Sequence, residues 1–210
     1  MSTWFFPPVA ALAYLYEMRT PADRSAATSV PIHPDIAARW SPRAFDPDAV
    51  VGRDDVLALL EAARWAATWG ARQPVRYVVG LRGDRAFDEL AGLLRRGNSY
   101  AKAAGALILV CADRGDDDNT ALYSAVDAGA AMANLSVEAV SRGLAVHPMA
   151  GFDADGARAA FGLDEGLRPL AVVAVGRLGD YASVSEEIAE RDNLPRARRP
   201  LDEIVVNWPV

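Results

Sequence analysis

An unbroken apolar run near the centre of the chain most constrains how it can fold. The run covers Ala106–Ala112 and contains no charged or amide side chain. A strand with one solvent-facing side alternates apolar and polar residues, so this run predicts a central strand that is buried on both faces. Further strands are predicted at 75–81 and 170–176, where β-branched residues are frequent. A central sheet flanked by helices is therefore expected.

Apolar residues at intervals of three and four predict helices around these strands. The predicted helices are a short one at 34–39, one that opens at Asp54 and Asp55 and runs to Thr68, one at 84–96 and one at 120–142. Gly143 is suited to end the longest helix, Asp153 to cap the helix after it, and Gly162 to end that helix. Residues 98–104 are predicted to be a link, and residues 204–206 a short strand.

Small residues between Ala125 and Ala133 give the longest helix a flat apolar face. Such a face lets another helix approach closely, which is typical of a core or of a subunit interface. We therefore expect this helix to serve packing and assembly, with no role in chemistry.

The bulk composition limits the classes of protein that this chain can belong to. Its 210 residues favour one domain with an N-terminal arm, and we place the arm and linker at 1–30 and the domain at 31–210. The formal net charge of −6 argues against a nucleic-acid partner. A single Cys excludes an internal disulfide and favours the cytoplasm. One Cys and two widely separated His also argue against a structural zinc site.

The N-terminal arm carries an apolar run from Trp4 to Tyr16. This run is too short to span a bilayer and lacks the pattern of a signal peptide. We interpret it as a short helix that docks on the body of the protein or on a partner subunit, and we expect no membrane role.

A candidate anion site lies at Arg39-Trp40-Ser41-Pro42-Arg43. A guanidinium offers a planar fork of donors that matches a phosphate, and a nearby hydroxyl can add another. Pro42 restricts how the segment moves. A solvated basic loop is the alternative, and these residues alone leave both interpretations open.

The same segment is the first of four motifs that resemble, in order, the nitroreductase family of FMN flavoproteins. The other motifs are Gln73-Pro74 after a helix, Asp127-x-Gly129 followed by Pro148-Met149-Ala150-Gly151-Phe152-Asp153, and the basic tail from Arg198-Arg199-Pro200 to Val205. Together they extend over residues 34–208.

The resemblance implies an α+β fold, nitroreductase-like, around a mainly antiparallel sheet, in a homodimer with FMN in two interface sites. Arg39, Ser41 and Arg43 would hold the phosphate and the ribityl chain, and Arg198 and Arg199 would approach from the tail. Thr68, Trp69 and Gly70 would reach the flavin from the other subunit. Met149, Ala150 and Gly151 would lie beside the isoalloxazine ring, with backbone N–H groups near N5 and O4. Asn98 takes roughly the place of a polar residue that contacts the pyrimidine edge. The remaining cofactor-binding candidates, Trp40, Gln73 and Pro148, lie within the motifs.

The implied function is an FMN-dependent oxidoreductase that passes electrons from NAD(P)H to nitroaromatic, quinone or other conjugated small molecules. Hydride transfer belongs to the cofactor, so no catalytic side chain is expected, and His147 is interpreted as a packing or hydrogen-bonding residue. Trp69 and Ala71 depart from the family pattern. This departure leaves two alternatives open: a non-catalytic flavin- or ligand-binding member, or a specialised biosynthetic oxidoreductase.

Overall fold

The computed structural model describes residues 24–207, so the prediction for Trp4–Tyr16 lies outside the described residues. Its centre is a four-stranded sheet in the order β1-β2-β4-β3, in which every pairing is antiparallel. The strands are β1 (Val75–Leu81), β2 (Ala106–Asp113), β3 (Ala145–Met149) and β4 (Leu167–Gly176). The α+β fold with a mainly antiparallel sheet is confirmed.

Seven α-helices and two 3-10 segments surround this sheet within residues 24–207. The helices are α1 (Pro34–Ala38), α2 (Arg53–Arg64), α3 (Arg85–Leu93), α4 (Asp118–Ser141), α5 (Ala154–Phe161), α6 (Glu186–Asn193) and α7 (Leu201–Ile204). The 3-10 segments are Trp69–Ala71 and Arg96–Ala103. No helix in this part of the chain combines the length and hydrophobicity needed to cross a bilayer.

The roles predicted for Asp153, Gly162 and Gly143 are confirmed by the local geometry. Asp153 accepts a hydrogen bond from Gly156 N at the start of α5, and Gly162 ends that helix in the left-handed conformation with φ 57°. Gly143, with φ 69°, follows α4 in the same conformation.

Strand β2 is apolar from Ala106 to Ala112 because it supplies side chains to two separate clusters. Ile108 and Val110 pack into the cluster that α2 and α4 cover. Leu107, Leu109 and Cys111 pack into the cluster on the other side, with residues of α3 and α5. All five side chains are at most 1% exposed. Burial raises the pKa of Cys111 to about 11, so its thiol stays protonated and unreactive near neutral pH.

Four sequence predictions need correction. Helix α2 ends at Arg64, four residues before the predicted end at Thr68. Helix α3 ends at Leu93, because Leu94 pairs with Phe152 and Arg95 N donates to Gly151 O. Residues 98–103 of the predicted link at 98–104 belong to the 3-10 segment Arg96–Ala103. The predicted strand at 204–206 is wrong: α7 ends there, and no neighbouring strand pairs with these residues in the described part of the chain.

Candidate functional site

The Arg39–Arg43 segment begins where α1 ends. Arg39 is the C-terminal capping residue of α1, and its N–H donates to Asp35 O. Its side chain turns towards the following residues, so that Nη1 donates to Ser41 Oγ over 3.3 Å. Arg39 and Ser41 are both half-buried. The structure therefore places one guanidinium and one hydroxyl side by side.

The C-terminal tail returns to this segment through Arg196, a residue that the sequence analysis missed. Its guanidinium donates to Ala37 O over 3.1 Å and to Arg39 O over 2.9 Å. It also donates to Arg24 O. These bonds fix the tail against the end of α1, two residues before the predicted ligand Arg198.

Arg39, Arg196 and Arg198 form a cationic cluster. Burial and then the charge of Arg198 lower the pKa of Arg39. Burial, followed by the charges of Arg39 and Arg198, lowers the pKa of Arg196. Arg39 and Arg196 still carry their charge, because a guanidinium is not deprotonated in proteins. Among residues 24–207, no carboxylate forms an ion pair with any of them. A bound dianion would offset this mutual repulsion, so the cluster fits a phosphate.

Arg43 is engaged differently from Arg39, by a buried carboxylate. Its Nη1 lies 2.6 Å from Asp192 Oδ1, and its backbone N lies 2.6 Å from Asp192 Oδ2. Tyr181 donates its hydroxyl to the same Oδ2 over 2.5 Å, and Asp192 is 1% exposed. Burial and this bond raise the pKa of Tyr181. Arg43 thus ties the segment to α6, and its role as a phosphate ligand stays a prediction.

The predicted residues Met149, Ala150 and Gly151 lie at the end of β3 and directly after it. The Met149 side chain is buried in the core, whereas Ala150 is exposed. Asn98 donates from Nδ2 to Gly151 O over 2.9 Å. A Cβ on residue 151 would lie 2.6 Å from that Nδ2, so the close approach of Asn98 requires glycine. The structure therefore brings Asn98 to the 149–151 segment.

His147 connects the two segments just described. Its Nδ1 lies 2.8 Å from Pro42 O, and the residue is 9% exposed. Burial lowers the pKa of His147, and the charges of Arg43 and Arg39 add to this, while the bond to Pro42 O and the charge of Asp192 oppose it. The imidazole is therefore neutral at pH 7, in agreement with a packing and hydrogen-bonding residue.

The predicted loop residues Thr68, Trp69, Gly70 and Gln73 form a second group, which packs on α4. The Trp69 ring stacks on Tyr123 with centroids 4.9 Å apart, and Trp69 N donates to both oxygens of Asp127 over 3.1 Å. Gly70 and Gln73 adopt positive φ values of 58° and 50°. In the described chain, no hydrogen bond or ring contact joins this loop to the Arg39–Arg43 segment.

Three predicted residues have other surroundings. The Arg24 guanidinium lies over the Trp40 ring, with Cζ 5.0 Å from the ring centroid. Trp40 also packs with Ala44 and Tyr181. Pro148 is half-buried in the edge strand β3, where its missing N–H is tolerated. Arg199 is exposed beside Pro200, on an open groove of about 1040 Å³.

Comparison with known proteins decides the family. The sequence profile of the nitroreductase family matches residues 36–177, which is more than half of the chain. The chain belongs to the nitroreductase family. An uncharacterized 15.4 kDa protein of Mycolicibacterium smegmatis is 60% identical over 138 residues, which are 62% of this chain and 93% of that protein.

Two solved structures are similar over most of the chain. An oxidoreductase containing FMN is 29% identical with a TM-score of 0.80, and the match covers 89% of this chain and 96% of that one. A protein from Desulfovibrio desulfuricans, named as a nitroreductase and crystallised in complex with FMN, is 28% identical with a TM-score of 0.67. That match covers 87% of this chain and 99% of the other.

The nitroreductase profile ends at residue 177, before the tail that carries Arg196 and Arg198. The structure nevertheless brings Arg196 to α1, close to the start of the match. The cationic cluster of this nitroreductase-family protein therefore combines residues from the matched region with residues beyond it.

Proposed function

We propose that this protein is an FMN-dependent oxidoreductase. The observation that carries the proposal is the cationic cluster of Arg39, Arg196 and Arg198 beside the Ser41 hydroxyl. None of the three forms an ion pair with a carboxylate of residues 24–207. A phosphate dianion matches this set of donors in charge and geometry. Membership of the nitroreductase family and likeness to two proteins crystallised with FMN support FMN as the phosphate-bearing ligand.

The protein's own residues would bind and orient this cofactor. Arg39 and Arg198 would hold the phosphate, Ser41 would donate to the phosphate or the ribityl chain, and the backbone of Ala150 and Gly151 would face the ring. FMN supplies hydride transfer when it is bound, so the chain need not provide an acid or a base.

The second group of predicted residues supports a homodimer. Leu122, Val126, Gly129 and Ala133 are exposed at helical spacing along α4, and the exposed fractions of Leu122 and Val126 are 58% and 56%. A continuous apolar stripe of this kind is typical of a protein interface. The Trp69 loop packs on the same helix. We therefore propose that this loop reaches the FMN that the other subunit holds.

Electrons would come from NAD(P)H and leave to a nitroaromatic, a quinone or another conjugated small molecule. The test uses the FMN-loaded protein without oxygen. Adding NADH or NADPH should bleach the flavin absorbance, and adding an acceptor should restore it. Dithionite serves as the control that the bound flavin is reducible.

A protein whose flavin is bleached by dithionite, but by neither nicotinamide, would refute the proposed activity. That result would favour a non-catalytic member of the family, the alternative that the altered Trp69 loop suggests.

A further inference from the structure

Hydrogen bonds anchor the 3-10 segment Arg96–Ala103 to both ends of the site. At one end, the Tyr100 hydroxyl lies 3.1 Å from His147 Nε2 and 3.2 Å from His147 Nδ1, and this Nδ1 lies 2.8 Å from Pro42 O. At the other end, Asn98 Nδ2 donates to Gly151 O over 2.9 Å. Tyr100 and His147, which the proposed function does not use, therefore connect this segment to Pro42.

The two carbonyls, Pro42 O and Gly151 O, define the direction of these hydrogen bonds. A carbonyl oxygen only accepts, so Pro42 O requires a proton on His147 Nδ1. The neutral imidazole then has an unprotonated Nε2, which accepts from the Tyr100 hydroxyl. Gly151 O similarly requires the amide nitrogen of Asn98, which leaves Asn98 Oδ1 3.4 Å from the Tyr100 oxygen. The hydroxyl has one proton, so while it donates to Nε2 this second approach is a contact without a hydrogen bond. Burial raises the pKa of Tyr100 to about 12, so its hydroxyl keeps the proton that it donates.

From this arrangement we infer that Tyr100 and His147 are positioning residues for FMN. The inference rests on the proposed function, because it takes the Arg39–Arg43 segment as the phosphate end and Gly151 as the ring end of the site. These two segments come from distant parts of the chain. A rigid link between them lowers the cost of ordering both ends when one ligand must contact both.

Tyr100→Phe tests this role with little risk to the fold, because it removes one oxygen and keeps the ring. That ring lies 5.2 Å from the His147 ring, and Arg43 lies 6.0 Å above it. Riboflavin lacks the phosphate and depends less on alignment between the two ends. We therefore expect the ratio of FMN affinity to riboflavin affinity to fall about tenfold, the size of effect that loss of one hydrogen bond produces. Tyr77→Phe, at a half-buried position in the opposite core cluster, is the matched control.

The tautomer of His147 gives an independent readout that does not require FMN. Nitrogen-15 NMR of the histidine-labelled full chain should show His147 protonated on Nδ1, with its Nε2 resonance shifted in Tyr100→Phe. His33→Asn identifies the second histidine, because Asn can replace His33 as the N-cap of α1.

Protonation on Nε2, or an unchanged affinity ratio in Tyr100→Phe, would refute the positioning role. A wild-type protein that binds no FMN would refute the proposed function, and the positioning role with it. Wild-type FMN binding with an unchanged ratio in the variant would refute the positioning role alone.

Discussion

Replacing Asp192 with alanine should lower the free energy of unfolding by about 3 kcal/mol. Breaking a buried ion pair by removing one partner costs about 3–5 kcal/mol, because the other charge stays behind uncompensated. The low end applies here, since the Arg43 side chain is 23% exposed and can regain some hydration, whereas that of Asp192 is fully buried. Tyr181 would lose its acceptor as well.

Asp192→Asn distinguishes the contribution of the carboxylate charge to stability from that of the side chain's volume. The amide keeps the volume and one acceptor, so its cost should be about 1.5–3 kcal/mol, the range for a hydrogen bond to a charged group. The double variant Arg43→Ala with Asp192→Ala should be no less stable than Asp192→Ala alone, because it leaves no unpaired charge.

Urea unfolding followed by circular dichroism measures these differences. Glu190→Ala is the control, since this exposed residue lies on α6, the same helix, and should change stability by at most about 0.5 kcal/mol. An Asp192→Ala variant that loses less than about 1 kcal/mol, with an unchanged urea dependence, would show that the ion pair does not hold the segment to α6.

Two further predictions concern pH and assembly. The pKa of His147 in the folded protein lies below its ordinary value of 6.5, so the unfolded chain binds a proton at this residue more readily. The free energy of unfolding should therefore fall as the pH drops from 6.5 through the lower pKa of the folded protein. Urea unfolding between pH 7.5 and 5.5 should show that the free energy of unfolding changes by at most about 1.4 kcal/mol per pH unit through His147. His147→Asn should remove this contribution. An equal pH dependence of the free energy of unfolding in both proteins would contradict the lowered pKa. Val126→Asp places a charge in the exposed stripe of α4, so light scattering should show dissociation of the proposed dimer together with loss of flavin. A Val126→Asp variant that stays dimeric would exclude this stripe as the interface.

The strands and helix ends were predictable wherever the local pattern matched the tertiary environment. The run at 106–112 is apolar because both faces of β2 are covered, and Gly162 ends α5 because its φ is positive. Strand β3 was not predicted, because His147 and Pro148 interrupt its apolar pattern. Its His147 side chain is occupied by a bond to Pro42, a residue 105 positions away that no local pattern reveals.

The site was predictable in its residue types and incompletely in its partners. Arg39 and Ser41 were predicted as candidates because a guanidinium and a hydroxyl close together suit a phosphate. Asp192 and Arg196 were missed, because nothing in a charged segment indicates which member will be buried. Asp192 is 149 residues from Arg43, so their pairing depends on how α6 packs.

Flavin titration of Arg39→Ala tests the central claim most directly. Quenching of flavin fluorescence gives the affinities for FMN and for riboflavin, which differ only in the phosphate. We predict that Arg39→Ala weakens FMN binding about 10- to 100-fold, the loss expected for one charge-assisted hydrogen bond, while riboflavin binding stays the same. Arg43→Ala should weaken both ligands, because Arg43 also ties the segment to Asp192. Equal losses for FMN and riboflavin in Arg39→Ala, or no loss at all, would contradict a phosphate site at the cationic cluster.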